Sequence, residues 1–151
     1  EYEFVLICED DHFFTEHYTP EYLFSNIFQA KQQGALLLNG GIGGFGTALP
    51  VSPNRYWVDW FWCTQFIIIY QPLFDDILDY EFRENDTDGV LSAITPYKMA
   101  LYPFISEQKT FGYSDITEGN KNNPNLILEH FERAKKKLET FHRISHHFNY
   151  R

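Results

Sequence analysis

Apolar residues gather in short runs between polar turns, and the period of those runs changes along the chain. Residues 2–8 form an apolar run bounded by acids, which predicts a buried strand. Thr19-Pro20-Glu21 supplies a capping hydroxyl, a proline at the first helical position and an acid on the helix dipole. A helix is therefore predicted from here to about Gln33, stopping at Gly34. Residues 35–38 predict a second buried strand, and 40–46 a glycine-rich loop. Residues 56–70, rich in aromatic and β-branched side chains, predict one or two strands. Pro72 opens a predicted helix through about Phe82, and a polar turn follows at 83–86. Residues 88–94 read as a short helix, 97–105 as a further strand and 111–123 as a polar loop. From Asn125 onward, Ile127, Phe131, Ala134, Leu138, Phe141 and Phe148 recur at helical spacing, predicting one long amphipathic helix with its lysines in solvent.

Strands that alternate with helices predict an α/β fold, with a mixed sheet flanked by helices. The runs 5–8 and 35–38 are apolar on both faces, which places each inside the sheet.

The chain has 151 residues, 44% of them apolar and 19% aromatic, enough for one domain with a real core. Disordered and collagen-like classes are excluded by that composition. No apolar stretch is long enough to span a bilayer, and no basic leader precedes an apolar run. Glu1 falls inside a predicted strand, so the chain reads as part of something longer. The formal net charge of −9 argues against a nucleic-acid binder, which presents a basic face. It suits an enzyme that recruits a cation to meet a polyphosphate. Cys8 and Cys63 sit among apolar neighbours and read as buried free thiols of a cytoplasmic protein rather than a disulfide.

The most informative segment is Val5-Leu6-Ile7-Cys8-Glu9-Asp10-Asp11, where three acids follow directly on an apolar strand. In open α/β sheets ligands bind beyond strand ends, where the chain leaves the core. Adjacent acids repel unless a cation or solvent separates them, and hard oxygens suit Mg²⁺ or Mn²⁺. A solvated acidic turn is the alternative reading of the same residues.

Val-Leu-Ile-x-Glu-Asp-Asp resembles the metal motif of GT-A glycosyltransferases, particularly glycosyltransferase family 25, which includes lipooligosaccharide and procollagen galactosyltransferases. Other segments resemble that family in its order: Ala35-Leu36-Leu37-Leu38-Asn39-Gly40-Gly41, the stretch 64–78, and Asp88-Gly89-Val90-Leu91. Tyr102-Pro103 through Gln108, with Ser114-Asp115-Ile116, completes the series.

The resemblance implies a GT-A-like fold in which 1–151 is the C-terminal portion of a catalytic domain and 125–151 its closing helix. The family's first strands, which cradle the nucleoside, would precede Glu1 and are missing from this chain. It implies Glu9, Asp10 and Asp11 around Mn²⁺ or Mg²⁺, Asp10 and Asp11 against the donor's phosphates and Glu9 in support. Gln108, Ser114 and Asp115 would line the donor site, and Asp88 would be the base of an inverting transfer. The partners implied are a nucleotide-sugar donor such as a UDP-hexose and a glycan or lipid-linked glycan acceptor in cell-surface or lipopolysaccharide synthesis. The Trp-rich insert departs from the family, so the acceptor does not carry over. Two rivals stand beside this reading, a non-catalytic carbohydrate-binding module and a degenerate transferase-like domain.

Four further features need weighing. The glycines at 41, 43, 44 and 46 match a dinucleotide fingerprint, but Leu49-Pro50-Val51-Ser52-Pro53 supplies no helix to meet a pyrophosphate. A flexible loop near the active site or a plain irregular turn remains. Trp57, Trp60 and Trp62 are either core or a stacking surface for an acceptor sugar. Asp86 and Asp88 share a polar turn, where either a base or a helix cap is at home. His142 and His146 lie beside Arg133, Lys135, Lys136, Lys137 and Arg143, which reads as a solvated face or, alternatively, as a contact with the inner face of an anionic membrane.

Overall fold

The computed structural model describes residues 2–83, 87–109 and 125–148. Its framework is a six-stranded mixed sheet flanked by helices, with no closed barrel. The strands are β1 (Phe4–Cys8), β3 (Leu37–Asn39), β4 (Ala48–Ser52), β5 (Arg55–Val58), β6 (Phe66–Tyr70) and β7 (Lys98–Leu101). They lie in the order β1-β6-β3-β7-β5-β4, with β3 and β7 parallel and every other pair antiparallel. Two short strands, β2 (His12–Phe14) and β8 (Ser106–Gln108), form a separate antiparallel pair.

β6 divides the core. Phe66, Ile68 and Tyr70 join Leu23, Ile27 and Ala30 of helix α1 (Pro20–Gln32) on one face. Ile67 and Ile69 face the other way, into a cluster with Leu91 of α3 (Thr87–Ala93) and Phe131, Ala134 and Leu138 of α4 (Leu126–His147). All five β6 side chains are buried, the mark of a strand covered on both faces.

α1 begins as its sequence predicts. Thr19 Oγ1 accepts from the Tyr22 N–H at 3.0 Å, and Gly34 takes the left-handed φ of +81° that ends the helix. In α4 the predicted stripe packs inward through Phe131, Ala134 and Leu138, with Ile127 and Phe141 partly buried, but Phe148 stands exposed beyond the last turn. Its basic side is only partly solvated. Lys135 pairs with Glu107 and Glu132, and Lys137 donates to the carbonyls of Phe45 and Gly46.

Several boundaries differ from the sequence pattern. β3 is interior as expected, but β1 is an edge strand, with Val5, Leu6 and Ile7 between 38% and 47% exposed. An apolar run reports what a strand is able to bury, and β1 has a strand neighbour on one side only among the described residues. β4 carries Pro50, which a strand tolerates because this edge needs no N–H there. The helix predicted from Pro72 shortens to a 3-10 turn, Gln71–Leu73, and α2 (Phe74–Leu78). Leu73 is the last buried side chain, so nothing packs a longer helix in place. The strand expected at 97–105 shortens to β7; the chain then turns through a cis Tyr102–Pro103 bond and enters β8 beyond the expected range.

Candidate functional site

The antiparallel pairing of β1 and β6 opposes Cys8 to Phe66, so the acids that follow β1 meet the polar residues that precede β6. The Glu9 N–H donates to the Gln65 carbonyl at 3.0 Å. Thr64 Oγ1 lies 3.0 Å from Glu9 Oε1 and 2.8 Å from Asp88 Oδ1, bridging an acid from the β1 end to one from the first turn of α3. A hydroxyl carries one hydrogen and donates to one carboxylate at a time. Both contacts are satisfied together when Glu9 holds a proton. Burial pushes Glu9 above the usual carboxylate range, and the charges of Asp11, Asp88 and Asp10 add to that, against the opposing Thr64 contact.

The backbone around Asp88 is equally specified. Its Oδ2 accepts from the Cys63 N–H at 2.8 Å. Cys63 has φ of +70°, the left-handed region, alone among the described non-glycine residues. Such a conformation costs about 1–3 kcal/mol and persists where the surroundings enforce it. Here the enforcement comes from Asp88 on one side and the glycine loop on the other. The Gly43 N–H donates to the Trp62 carbonyl at 2.8 Å, and the Trp62 N–H to the Gly44 carbonyl at 3.2 Å. A Cβ on Gly43 would stand 2.5 Å from Cys63 Sγ, and one on Gly41 only 2.1 Å from the Ser106 carbonyl oxygen. The loop is thus a packed, largely buried segment that seats Cys63 and Thr64, not the flexible loop the glycine content suggests.

Asp11 belongs to the other side of the cluster. Gln108, delivered by β8, donates from Nε2 to Asp11 Oδ2 at 2.6 Å, and the Lys109 N–H donates to the Asp11 carbonyl at 2.8 Å. Asp11 Oδ1 is buried with no hydrogen-bond partner. Asp10 is exposed on the turn between. Fold and pairing therefore set Glu9 and Asp11, from one turn, beside Asp88 and Gln108, so that three separate places in the chain contribute. Ser114, Asp115 and Asp86 lie outside the described residues.

The donor set tests well against a hard cation on chemistry. A buried carboxylate oxygen lacks a partner, and Mg²⁺ binds through one or two carboxylates with phosphate and water completing its shell. A three-acid cage is a different matter. No group of three His, Cys, Asp or Glu among the described residues is arranged to hold a metal ion. Glu9 turns to Thr64 and Asp11 to Gln108, so the two do not converge as a ready-made ligand set.

Both thiols are free, but only Cys63 is sheltered; Cys8 is exposed on the edge strand. Burial pushes the Cys63 thiol up to about 12, with Asp88, Glu9 and Asp11 adding to it. The histidines of α4 are not a plain solvated face. His142 Nδ1 sits 3.0 Å from the Tyr56 hydroxyl, and its ring lies 4.3 Å from that of His146. Sequence reasoning missed Thr64. The available signal was two polar residues, Thr64-Gln65, just before the most apolar strand, where antiparallel pairing sets them beside the acids closing β1.

No helix among the described residues is long and apolar enough to cross a membrane. Compared with family models, curated proteins and solved structures, the chain matches none.

Proposed function

We propose that this chain is the catalytic part of a metal-dependent glycosyltransferase of GT-A-like fold. It moves a hexose from a nucleotide diphosphate sugar, a UDP-hexose, to a glycan or lipid-linked glycan in cell-surface polysaccharide synthesis, at the cytoplasmic face of the membrane and with inversion. The observation that carries the reading is a pair of contacts at the end of β1, Glu9 with Asp88 through Thr64 and Asp11 with Gln108, with Asp11 Oδ1 buried and unpartnered.

Asp11, with Asp10, would hold the Mn²⁺ or Mg²⁺, which when bound offsets the charge building on the departing diphosphate. Gln108 orients Asp11 through its amide hydrogen bond. Asp88 takes the proton of the attacking acceptor hydroxyl, as that oxygen bonds to the sugar's anomeric carbon and the carbon–diphosphate bond breaks with its electron pair on the phosphate oxygen. The Cys63 N–H and Thr64 Oγ1 occupy one lone-pair direction on each Asp88 oxygen, which leaves capacity for that proton. Glu9, tied to the same Thr64, supports the site from behind.

Titrating the full-length protein with a panel of UDP-hexoses, with and without Mn²⁺, tests the reading. One donor should bind in a Mn²⁺-dependent manner, and Asp11→Ala should abolish that dependence. The absence of Mn²⁺-dependent binding for every donor, or its survival in Asp11→Ala, refutes the assignment.

A further inference from the structure

A cavity of about 610 Å³ opens beside the candidate site, lined among others by Trp60, Trp62, Asp59, Gly89, Thr95 and Lys98. That volume is within the roughly 300–1,000 Å³ of small-molecule sites. Of the three tryptophans only these two belong to it. Trp57 is partly buried, and its indole N–H donates to the Pro96 carbonyl at 2.7 Å. Trp60 is 37% exposed and Trp62 52%, in a chain whose other large aromatics include six phenylalanines and tyrosines that are fully buried.

The two indoles are held, not loose. Asp59 Oδ1 accepts from the N–H groups of Gly46, Thr47 and Trp60 at 2.8–3.0 Å and pins the turn that carries Trp60. A Cβ on Gly46 would lie 2.7 Å from Trp60 Nε1, and one on Gly44 3.2 Å from Trp62 Cδ1. The glycine loop therefore leaves just the room the rings occupy. They meet edge to face, with centroids 6.2 Å apart. A preset pair of aromatic surfaces loses little freedom when something stacks on it.

The remaining lining mixes apolar Phe61, Ala93 and Pro96 with one pair of opposite charges, Asp59 and Lys98. Lys98 is buried, with Nζ donating to the Thr95 carbonyl at 2.9 Å, which leaves two of its three N–H directions. The N–H contacts of Gly46, Thr47 and Trp60 with Asp59 all fall on Oδ1. One cation and one carboxylate cancel, so the cavity selects no charged ligand. Flat aromatic faces with separate donors and acceptors at the edge match a pyranose ring, which has an apolar C–H face and a rim of hydroxyls that donate and accept.

We propose that this cavity binds a neutral pyranose ring stacked on Trp60 or Trp62. Its role as the acceptor subsite rests on the transferase reading above; pyranose binding itself stands on the cavity alone. The position suits an acceptor. Gly89 follows Asp88 in α3, and Trp62 precedes Cys63, whose N–H binds Asp88.

The test uses the full-length protein without donor or metal. Methyl β-D-glucopyranoside, methyl β-D-galactopyranoside, methyl α-D-mannopyranoside and lactose are titrated, with glycerol as a ringless polyol control. Saturation-transfer NMR reads ring C–H contact and tryptophan fluorescence reads affinity. At least one pyranoside should bind while glycerol does not. Trp60→Ala and Trp62→Ala together should weaken binding about tenfold or more, the scale of losing an aromatic stack. The single Phe replacements, which keep a stacking face, should recover most of it. Both indoles are more than one-third exposed, so the variants should melt near the wild type, which a parallel scan checks.

Mn²⁺-dependent donor binding without a signal from any pyranoside overturns this proposal and leaves the transferase reading intact. Pyranoside binding indifferent to both Ala changes overturns it as well. Tryptophan-dependent pyranoside binding without any donor binding upholds the cavity and removes the transferase, leaving a carbohydrate-binding protein.

Discussion

Replacing Asp88 separates its chemical role from its structural one. Asp88→Ala removes acceptors for the Cys63 N–H and Thr64 Oγ1, each at 2.8 Å. Hydrogen bonds to a charged group contribute about 1.5–3 kcal/mol each, which would make roughly 3–6 kcal/mol for two. Asp88 is only partly buried, so the low end, about 3 kcal/mol, is the expectation. For a chain of this length that is a fall in Tm of about 6–12 °C. Asp88→Asn is different. Its amide oxygen still accepts from Cys63, its amide nitrogen donates to Thr64 Oγ1, and Thr64 is then free to donate to Glu9. Melting should stay within about 1 kcal/mol of wild type, while transfer falls by about 10²–10⁴-fold because the proton acceptor is gone. Donor affinity should not change. Differential scanning calorimetry beside single-turnover transfer reads both effects. An Asn variant that transfers at the wild-type rate places the base elsewhere, and an Ala variant as stable as wild type refutes the hydrogen-bond argument.

Three further outcomes follow from the packing and the titrating groups. Phe131 is fully buried against Phe104, so Phe131→Ala should cost about 3–5 kcal/mol in denaturant unfolding; a loss below about 1 kcal/mol would mean α4 is not part of the core. Iodoacetamide at pH 8 should modify exposed Cys8 and spare Cys63, whose thiol is raised to about 12, since the thiolate is the nucleophile; equal labelling in peptide maps contradicts that environment. Burial, then His146, holds His142 below the usual imidazole value where it faces Tyr56 and Tyr102, so the unfolded chain binds this proton more tightly. The resulting stability is full above the unfolded value, near pH 6.5, and is lost as pH falls through the folded one. Wild type should accordingly lose more Tm than His142→Gln between pH 7 and 5, and parallel curves would count against the packing of His142.

Local chemistry was enough for the elements whose signals are local. Thr19-Pro20 and Gly34 delimit α1 because capping and left-handed φ act within a turn, and the stripe through Phe131, Ala134 and Leu138 places α4 because one helix carries its own period. The acids after β1 were also legible, since three carboxylates closing an apolar run are conspicuous in one dimension.

What depended on partners was not legible. An apolar strand reads alike whether neighbours cover it or not, so the edge position of β1 and the exposure of Val5, Leu6 and Ile7 emerge only from the strand order. Trp57, Trp60 and Trp62 are chemically alike in sequence, and only the turn pinned by Asp59 and the seats left by Gly44 and Gly46 put two of them on a cavity wall. The contact of Glu9 with Asp88 through Thr64 joins residues about half the chain apart. It exists because antiparallel pairing sets the end of β1 beside the start of β6, and because the glycine loop holds Cys63 in a backbone conformation it would not adopt alone. Composition and spacing determined which residues carry charge and which form helices; the distances that let those charges act on one another were set by strand order and register.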